Sequence, residues 1–305
     1  MKWIEVQSAG LFTTVQDLGR PGFGPIGVST GGAADPTALR LANLVVGNAQ
    51  NAAGLEMTLQ GGEFLFPQGA LVALGGADFG VPLWTAIEMQ PGQTLKLGRS
   101  LAGARCYLCV RGGIRVPLLM GSASTDFVSG MGGLEGRALR RRDRLEIGPE
   151  PEAGVRRGLR PELIPLLAHR QVFRETEGPQ REWFTPASLD AFYGSPYRVT
   201  SDANRMGIRL SGAALATSTT RELITEGVSL GSIQVPAGGQ PVILFIEQQT
   251  TGGYPKIANV IAADLPSLGQ LKPGDEIRFV RVDLREAREL LYIQERWIAS
   301  ANSFL

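Results

Sequence analysis

The ten residues 247–256, EQQTTGGYPK, gather an unusual set of groups that could hold a small ligand. They include two threonine hydroxyls, a Gly-Gly pair and one of the four lysines in the sequence. Gly252-Gly253 allows backbone N–H groups to approach a ligand closely, and Thr250, Thr251 and Lys256 suit a phosphate or a carboxylate. The alternative is a hairpin turn with solvated polar residues, and local chemistry favours neither.

A second candidate is the form D-x-x-R-x-G, which occurs at 17–22 and again at 202–207. A structural salt bridge or turn cap would explain why both halves carry it. In the alternative, the copy of the motif at 202–207, which also contains Asn204, faces a ligand. Gln234 taken alone is typical of an ordinary polar residue in a β-barrel.

Several chemistries are excluded or disfavoured. The sequence has no Gly-Lys pair and therefore no P-loop, and its one histidine, His169, cannot supply a His-based metal cage. Cys106 and Cys109 lie on a predicted strand, where residues three apart point to opposite faces, so no disulfide between them is expected. No Met-Lys-Met biotin-attachment signature occurs, and no metal site is predicted.

Composition indicates an ordinary globular protein. The 305 residues carry a net charge of +1 and are 43% hydrophobic, which excludes a strong electrostatic grip on nucleic acid or anionic lipid. No stretch approaches the roughly 18 apolar residues of a membrane span. The first residues resemble a strand and not a signal peptide, and two cysteines fit a cytosolic protein. We therefore expect a cytoplasmic protein.

The elements that must position these residues are mainly strands. Asp35-Pro36 predicts a helix ending at Gly47, Thr185-Pro186 predicts one ending near Gly194, and a third begins at Asp283. Short apolar runs bounded by Gly and Pro predict the strands, at 64–66, 71–74, 105–110, 144–147, 197–200, 242–246 and 277–282.

The two halves of the sequence look related. Besides D-x-x-R-x-G, three further short motifs recur in the same order, including Pro91-Gly92 against Pro273-Gly274. The segment 149–161 is rich in Pro, Gly and charge and is the one linker-like stretch. The sequence thus predicts a duplicated β-barrel with domains at 1–150 and 151–305.

Longer motifs resemble a known family. TVQDLGRPG at 14–22, GSAST at 121–125, SDANRMG at 201–207 and above all QTTGGYPKIA at 249–258 resemble the KipA / allophanate hydrolase subunit 2 / PxpC family. The resemblance implies a mainly β fold with a few helices, made of two tandem related cyclophilin-like β-barrel domains.

The resemblance also implies a function. The first expectation is the C subunit of an ATP-dependent 5-oxoprolinase, which opens 5-oxo-L-proline to L-glutamate, uses ATP with Mg, and is inactive without its partners. Those partners would be a KipI-like protein and a LamB/YcsF-like protein in a hetero-complex. One alternative is the carboxyltransferase part of a urea carboxylase, which works with biotin. The other is a KipA-type regulator of a kinase inhibitor, which is not an enzyme.

Site residues follow from that resemblance. The expected catalytic residues are Lys256, which would hold phosphates with the Gly252-Gly253 backbone, together with Asp202 and Arg205 in the same groove. Arg205 would suit a carboxylate, whereas Asp35 is also explained as a helix cap. The expected substrate-binding residues are Thr250, Thr251, Gly252, Gly253, Tyr254, Gln234, Asp35 and Arg40.

Overall fold

The computed structural model describes residues 2–152, 154, 158–159 and 169–303. The chain forms two units, each discontinuous in sequence. The first comprises Met1–Arg20, Gly31–Ala168 and Trp297–Leu305, and the second comprises Pro21–Thr30 and His169–Arg296. This division differs from the expected 1–150 and 151–305, because 151–168 and 297–305 belong to the first unit and 21–30 belongs to the second. Part of the predicted linker 149–161 lies outside the described residues.

The first unit is built from two five-stranded sheets. Its strands are β1 Lys2–Ser8, β2 Phe12–Gln16, β3 Gly54–Thr58, β4 Glu63–Phe66, β5 Ala70–Asp78, β6 Ala86–Met89, β7 Gln93–Lys96, β8 Ala102–Val110, β9 Ile114–Arg115 and β10 Arg144–Ile147. One sheet has the order β7-β4-β1-β10-β9 and the other β2-β3-β8-β5-β6. Apolar side chains of both sheets, among them Val6, Phe64, Leu55 and Leu108, bury one common core.

One helix, α1 Pro36–Val45, covers the second of these sheets. The Asp35 side chain accepts the Ala38 N–H at 2.9 Å, and Pro36 stands at the first helical position, as the sequence predicts. Cys109 packs in the cluster under this helix, whereas Cys106 packs in the core between the sheets. These different surroundings confirm the prediction that the two residues face opposite sides of the strand. Both thiols are free.

The second unit contains a closed seven-stranded barrel in the order β11-β18-β15-β16-β13-β12-β19, and a separate β14-β17 pair. Its strands are β11 Val172–Glu177, β12 Tyr197–Val199, β13 Gly207–Ser211, β14 Glu226–Gly227, β15 Ser232–Gln234, β16 Val242–Leu244, β17 Thr251–Gly252, β18 Lys256–Val260 and β19 Glu276–Arg281. The expected mainly β fold with tandem β domains is confirmed, and the barrel is closed in this unit.

The remaining helices are α2 Pro186–Gly194, α3 Leu265–Leu268 and α4 Leu284–Ser303. Thr185 caps α2, and Asp283 accepts the Glu286 N–H at 2.8 Å at the start of α4, as predicted. Phe192 of α2 stacks on Phe279 of β19 with 4.6 Å between ring centroids, which fastens the helix to the barrel. Within the described ranges, no helix combines the length and the apolar character that crossing a membrane requires.

The barrel carries one fully buried carboxyl group, Glu175 of β11. Burial raises its pKa from 4.5 to about 7, and the charges of Arg281 and Arg181 offset this only in part. The folded chain therefore holds the proton more tightly than the unfolded chain does. Stability should fall as the pH rises through that interval.

We expect Glu175→Gln to match the wild type near pH 5 and to be more stable at pH 8, by at most about 3 kcal/mol, because the buried charge is gone. Urea denaturation at the two pH values measures the difference. Glu276→Gln, on an exposed position of β19, is the control. An equal effect of Glu175→Gln at both pH values would show that the carboxyl stays ionised in the fold.

Candidate functional site

The second unit carries an open groove of 1230 Å³. Three stretches of backbone line it, within 24–30, 226–232 and 245–251, and the barrel strands add single side chains. Four residues of the predicted 247–256 segment lie on its wall: Gln248, Thr250, Thr251 and Lys256. The groove therefore holds part of the candidate site in one place.

The lining includes an ion pair between Lys256 and Glu226. Lys256 is the first residue of β18, and its Nζ lies 2.5 Å from Oε1 of Glu226, the first residue of β14. The lysine side chain is 5% exposed and the glutamate side chain 44%. The ammonium is thus held inside the wall while its partner remains in contact with solvent.

Gln180 completes this cluster. Its Nε2 donates to Glu226 Oε1 at 3.0 Å, and its Oε1 accepts the backbone N–H of Lys256 at 3.1 Å. The hydrogen bond from Lys256, followed by that from Gln180, holds the pKa of Glu226 below its usual range. Glu226 consequently stays a carboxylate at neutral pH and keeps the ammonium in one position.

Gly252 allows a close approach between two strands of the site. It pairs with Glu226 in the β14-β17 ladder, and the Nε2 of Gln234 lies so near that an added Cβ would be 2.6 Å from it. Gln234 is 2% exposed, and its Nε2 has no hydrogen-bond partner. A buried amide donor without an acceptor is costly, so this N–H is suited to meet an acceptor on a ligand.

Gln234 lines a second, smaller cavity of 140 Å³. Gln249, Tyr254 and Asn204 contribute its other polar groups, and Val242 and Leu244 of β16 contribute apolar ones. A small apolar pocket with a few converging polar groups is the usual form of a site for a small molecule.

The groove has a further polar set that sequence reasoning missed. The hydroxyls of Ser229 and Ser232 both donate to Oδ1 of Asn259, at 3.0 and 2.9 Å. Asn259 pairs with Ser232 on one side and with Thr176 on the other in the barrel ladder. These polar side chains meet only because the strands close into a barrel, so spacing along the sequence carried no signal for them.

The predicted residues divide into two groups. The structure brings Lys256, Gly252 and Gln234 together. It places Thr250 and Thr251 on the groove wall, and Tyr254 in the smaller cavity. Gly253 follows Gly252 at a half-buried position.

The other predicted residues have different placements. Asp202 is exposed on the turn before β13 and lines neither cavity. Arg205 is buried with its Nε 2.5 Å from Glu247 Oε1, so its expected role as the carboxylate binder is corrected to a structural ion pair. In the first unit Asp35 caps α1, and Arg40 donates to Gln50 at 2.7 Å.

The charges of the groove do not fit the phosphates of ATP. Among the residues that line it, Lys256 is the cation, and the carboxylate of Glu226 already neutralises it. Gly252, expected to offer its backbone to phosphate, pairs in the β14-β17 ladder. Among the described residues, no group of three or more His, Cys, Asp or Glu side chains is placed to hold a metal ion. The donors present suit a small, weakly charged molecule that carries an amide.

Comparison with known proteins agrees with this fold. Residues 26–281 match the family model described as carboxyltransferase domain, subdomain A and B. The chain is 44% identical over 301 residues to the C subunit of 5-oxoprolinase from Escherichia coli, covering 96% of each chain. It is 38% identical to the corresponding 5-oxoprolinase protein of Haemophilus influenzae, covering 91% of this chain and 90% of that one.

A solved structure extends the comparison. The crystal structure of the K. lactis urea amidolyase superimposes with a TM-score of 0.92 at 32% identity, and the match covers 98% of this chain but 20% of the amidolyase. The chain therefore belongs to the carboxyltransferase-domain family, subdomains A and B, with the C subunit of 5-oxoprolinase among its full-length relatives.

Proposed function

We propose that this chain is the C subunit of an ATP-dependent 5-oxoprolinase and that its second unit binds the lactam. The family relationship supports a place in a multi-subunit hydrolase. The observation that carries the proposal is the ammonium of Lys256, fixed by Glu226 beside the unpartnered amide donor of Gln234. The partners in this proposal are the KipI-like protein and the LamB/YcsF-like protein.

Opening a lactam requires two things of the site. The carbonyl oxygen needs a hydrogen-bond donor as it gains charge, and the ring nitrogen needs a proton as it leaves. Gln234 Nε2 supplies the donor, and the ammonium of Lys256 supplies the proton. The γ-phosphoryl group of ATP held by a partner protein would first be transferred to the carbonyl oxygen, releasing ADP. A water oxygen then bonds to the carbonyl carbon while the ring C–N bond breaks, leaving its electron pair on nitrogen, and a second water would release phosphate from the resulting acyl phosphate. The proton that the first water loses returns to the Lys256 amine, so the site is restored.

Other residues of the site position Lys256 and the substrate. Glu226 is a positioning residue, because its carboxylate pairs with the Lys256 ammonium and holds it in one place on the groove wall. Thr250, Thr251 and Tyr254 offer hydroxyls that can orient a bound ring. Because the groove's charges do not fit a triphosphate, the proposal assigns ATP and its Mg to one of the partner proteins. An enzyme that consumes ATP also fits the cytoplasmic location expected from the sequence.

Lys256→Met should lower 5-oxoproline-dependent ATP hydrolysis by the complex assembled from all three proteins at least about 100-fold, since methionine keeps the buried stem but has no proton to give. The melting temperature of the chain should change little, because the Glu226 carboxylate that loses its partner is already half solvated. A coupled assay for released ADP and a thermal scan measure the two effects.

The matched control is Lys96→Met, which removes an exposed lysine of β7 that is paired to Glu63 at 3.5 Å. It should leave turnover unchanged. Wild-type turnover in assembled Lys256→Met complexes would remove Lys256 from the reaction. A complex that forms but never responds to 5-oxo-L-proline would instead favour the regulatory alternative.

Gly252→Ala should raise the KM for 5-oxo-L-proline about tenfold, with a smaller effect on kcat. The new methyl group would lie 2.6 Å from Gln234 Nε2 and 3.1 Å from Gln249 Nε2, so both amides must turn away from the cavity. Gly238→Ala is the control, because its Cβ would meet no heavy atom within 4 Å. Steady-state kinetics of both variants give KM and kcat separately. An unchanged KM in Gly252→Ala would place substrate binding elsewhere.

A second candidate function is transfer of a carboxyl group from biotin, as the fold match to a urea amidolyase suggests. The open groove of 1230 Å³ has room for a biotin ring beside Lys256. Incubation of the chain with carboxybiotin and urea, followed by assay of carboxylated urea, tests this candidate. Carboxyl transfer without any response to 5-oxo-L-proline would replace the first proposal with this one.

A further inference from the structure

A further buried cation lies in the first unit. Arg20 is 1% exposed, and it is the largest side chain among those that are fully buried. Its Nη2 donates to the carbonyl of Ser124, while Nε and Nη1 have no hydrogen-bond partner. Within the described ranges, no carboxylate forms an ion pair with it.

The nearby carboxylate of Asp17 is already committed to the backbone and hydroxyl groups around it. Its Oδ1 accepts the Gly19 N–H at 2.8 Å and the Ser122 hydroxyl at 2.6 Å, and it also accepts the hydroxyl of Ser124. Its Oδ2 accepts the Ala123 N–H at 2.7 Å. Asp17 therefore fastens the loop and leaves the guanidinium uncompensated.

The same motif in the second unit has a counter-ion that the first unit lacks. Asp202-x-x-Arg205 repeats the form of Asp17-x-x-Arg20, and there the buried guanidinium is paired with the carboxylate of Glu247 at 2.5 Å. A buried charge without a counter-charge strongly destabilises a fold. The first unit thus has the cation of this arrangement without its anion.

Two glycines pack closely against the guanidinium. An added Cβ on Gly31 would lie 3.3 Å from Nη1, and one on Gly132 would lie 2.7 Å from Nη2. Both residues have positive φ, of 59° and 65°. Neither position would accept a larger side chain without moving the guanidinium.

We propose that Arg20 is the floor of a binding site for a small oxyanion, which occupies the place that Glu247 takes beside Arg205. The unpartnered Nε and Nη1 would donate to its oxygens, in the way that guanidinium groups bind carboxylate, bicarbonate and phosphate. The site belongs to the first unit, uses none of the groove residues, and stands independently of the proposed oxoprolinase activity.

The test is calorimetric titration of the full chain with three oxyanions at constant ionic strength: bicarbonate, inorganic phosphate and acetate. Chloride gives the baseline. At least one oxyanion should bind saturably, and the one that binds tightest identifies the chemical class of the ligand. Arg20→Gln should weaken that binding at least about tenfold, whereas Arg115→Gln, at an exposed arginine of the same unit, should not change it.

Lys256→Met should leave this binding unchanged, which separates the site from the lactam groove. Circular dichroism checks that Arg20→Gln folds. Should that variant fail to fold, a wild-type crystal soaked in selenate answers the question without it. An anomalous peak within hydrogen-bond distance of Arg20 Nε or Nη1 would support the proposal. A water molecule alone at the guanidinium, or the absence of saturable binding by all three anions, would overturn it.

Discussion

A buried ammonium needs a carboxylate close by, and the second unit is arranged so that Lys256 finds one in Glu226. The two residues start different strands, and the β14-β17 pair holds Glu226 opposite Gly252. Gly252 in turn lets the Gln234 amide approach. Three strands and Gln180 therefore converge on one ion pair, and the polarity of the groove follows from it.

Much of the fold could be predicted because its signals are local. The caps Asp35 and Thr185 act within a single helical turn, and the predicted strands 64–66 and 144–147 agree with β4 and β10 within one residue. The division into units was harder to predict, because the segment 21–30 joins a unit whose remaining residues come more than a hundred positions later.

The candidate site could be predicted only in part, for a related reason. Lys256 and the threonines stand out as residue types in one short segment. Gln180 lies 76 positions from Lys256 and accepts its backbone N–H. The two meet because β11 pairs with β18, which spacing along the sequence does not reveal. Arg205 stands out in its motif, but the sequence does not show that its charge is neutralised by Glu247, which is 42 positions away. The same D-x-x-R-x-G form thus leads to two different electrostatic environments.

The two cysteines have a practical consequence for studies in solution. Both are fully buried, and burial raises the pKa of each thiol well above its ordinary value, so neither forms the reactive thiolate at neutral pH. Maleimide dyes or spin labels would react instead with a cysteine introduced on the surface. The native chain is thereby ready for single-site fluorescence or distance measurements, with both of its own cysteines left in place.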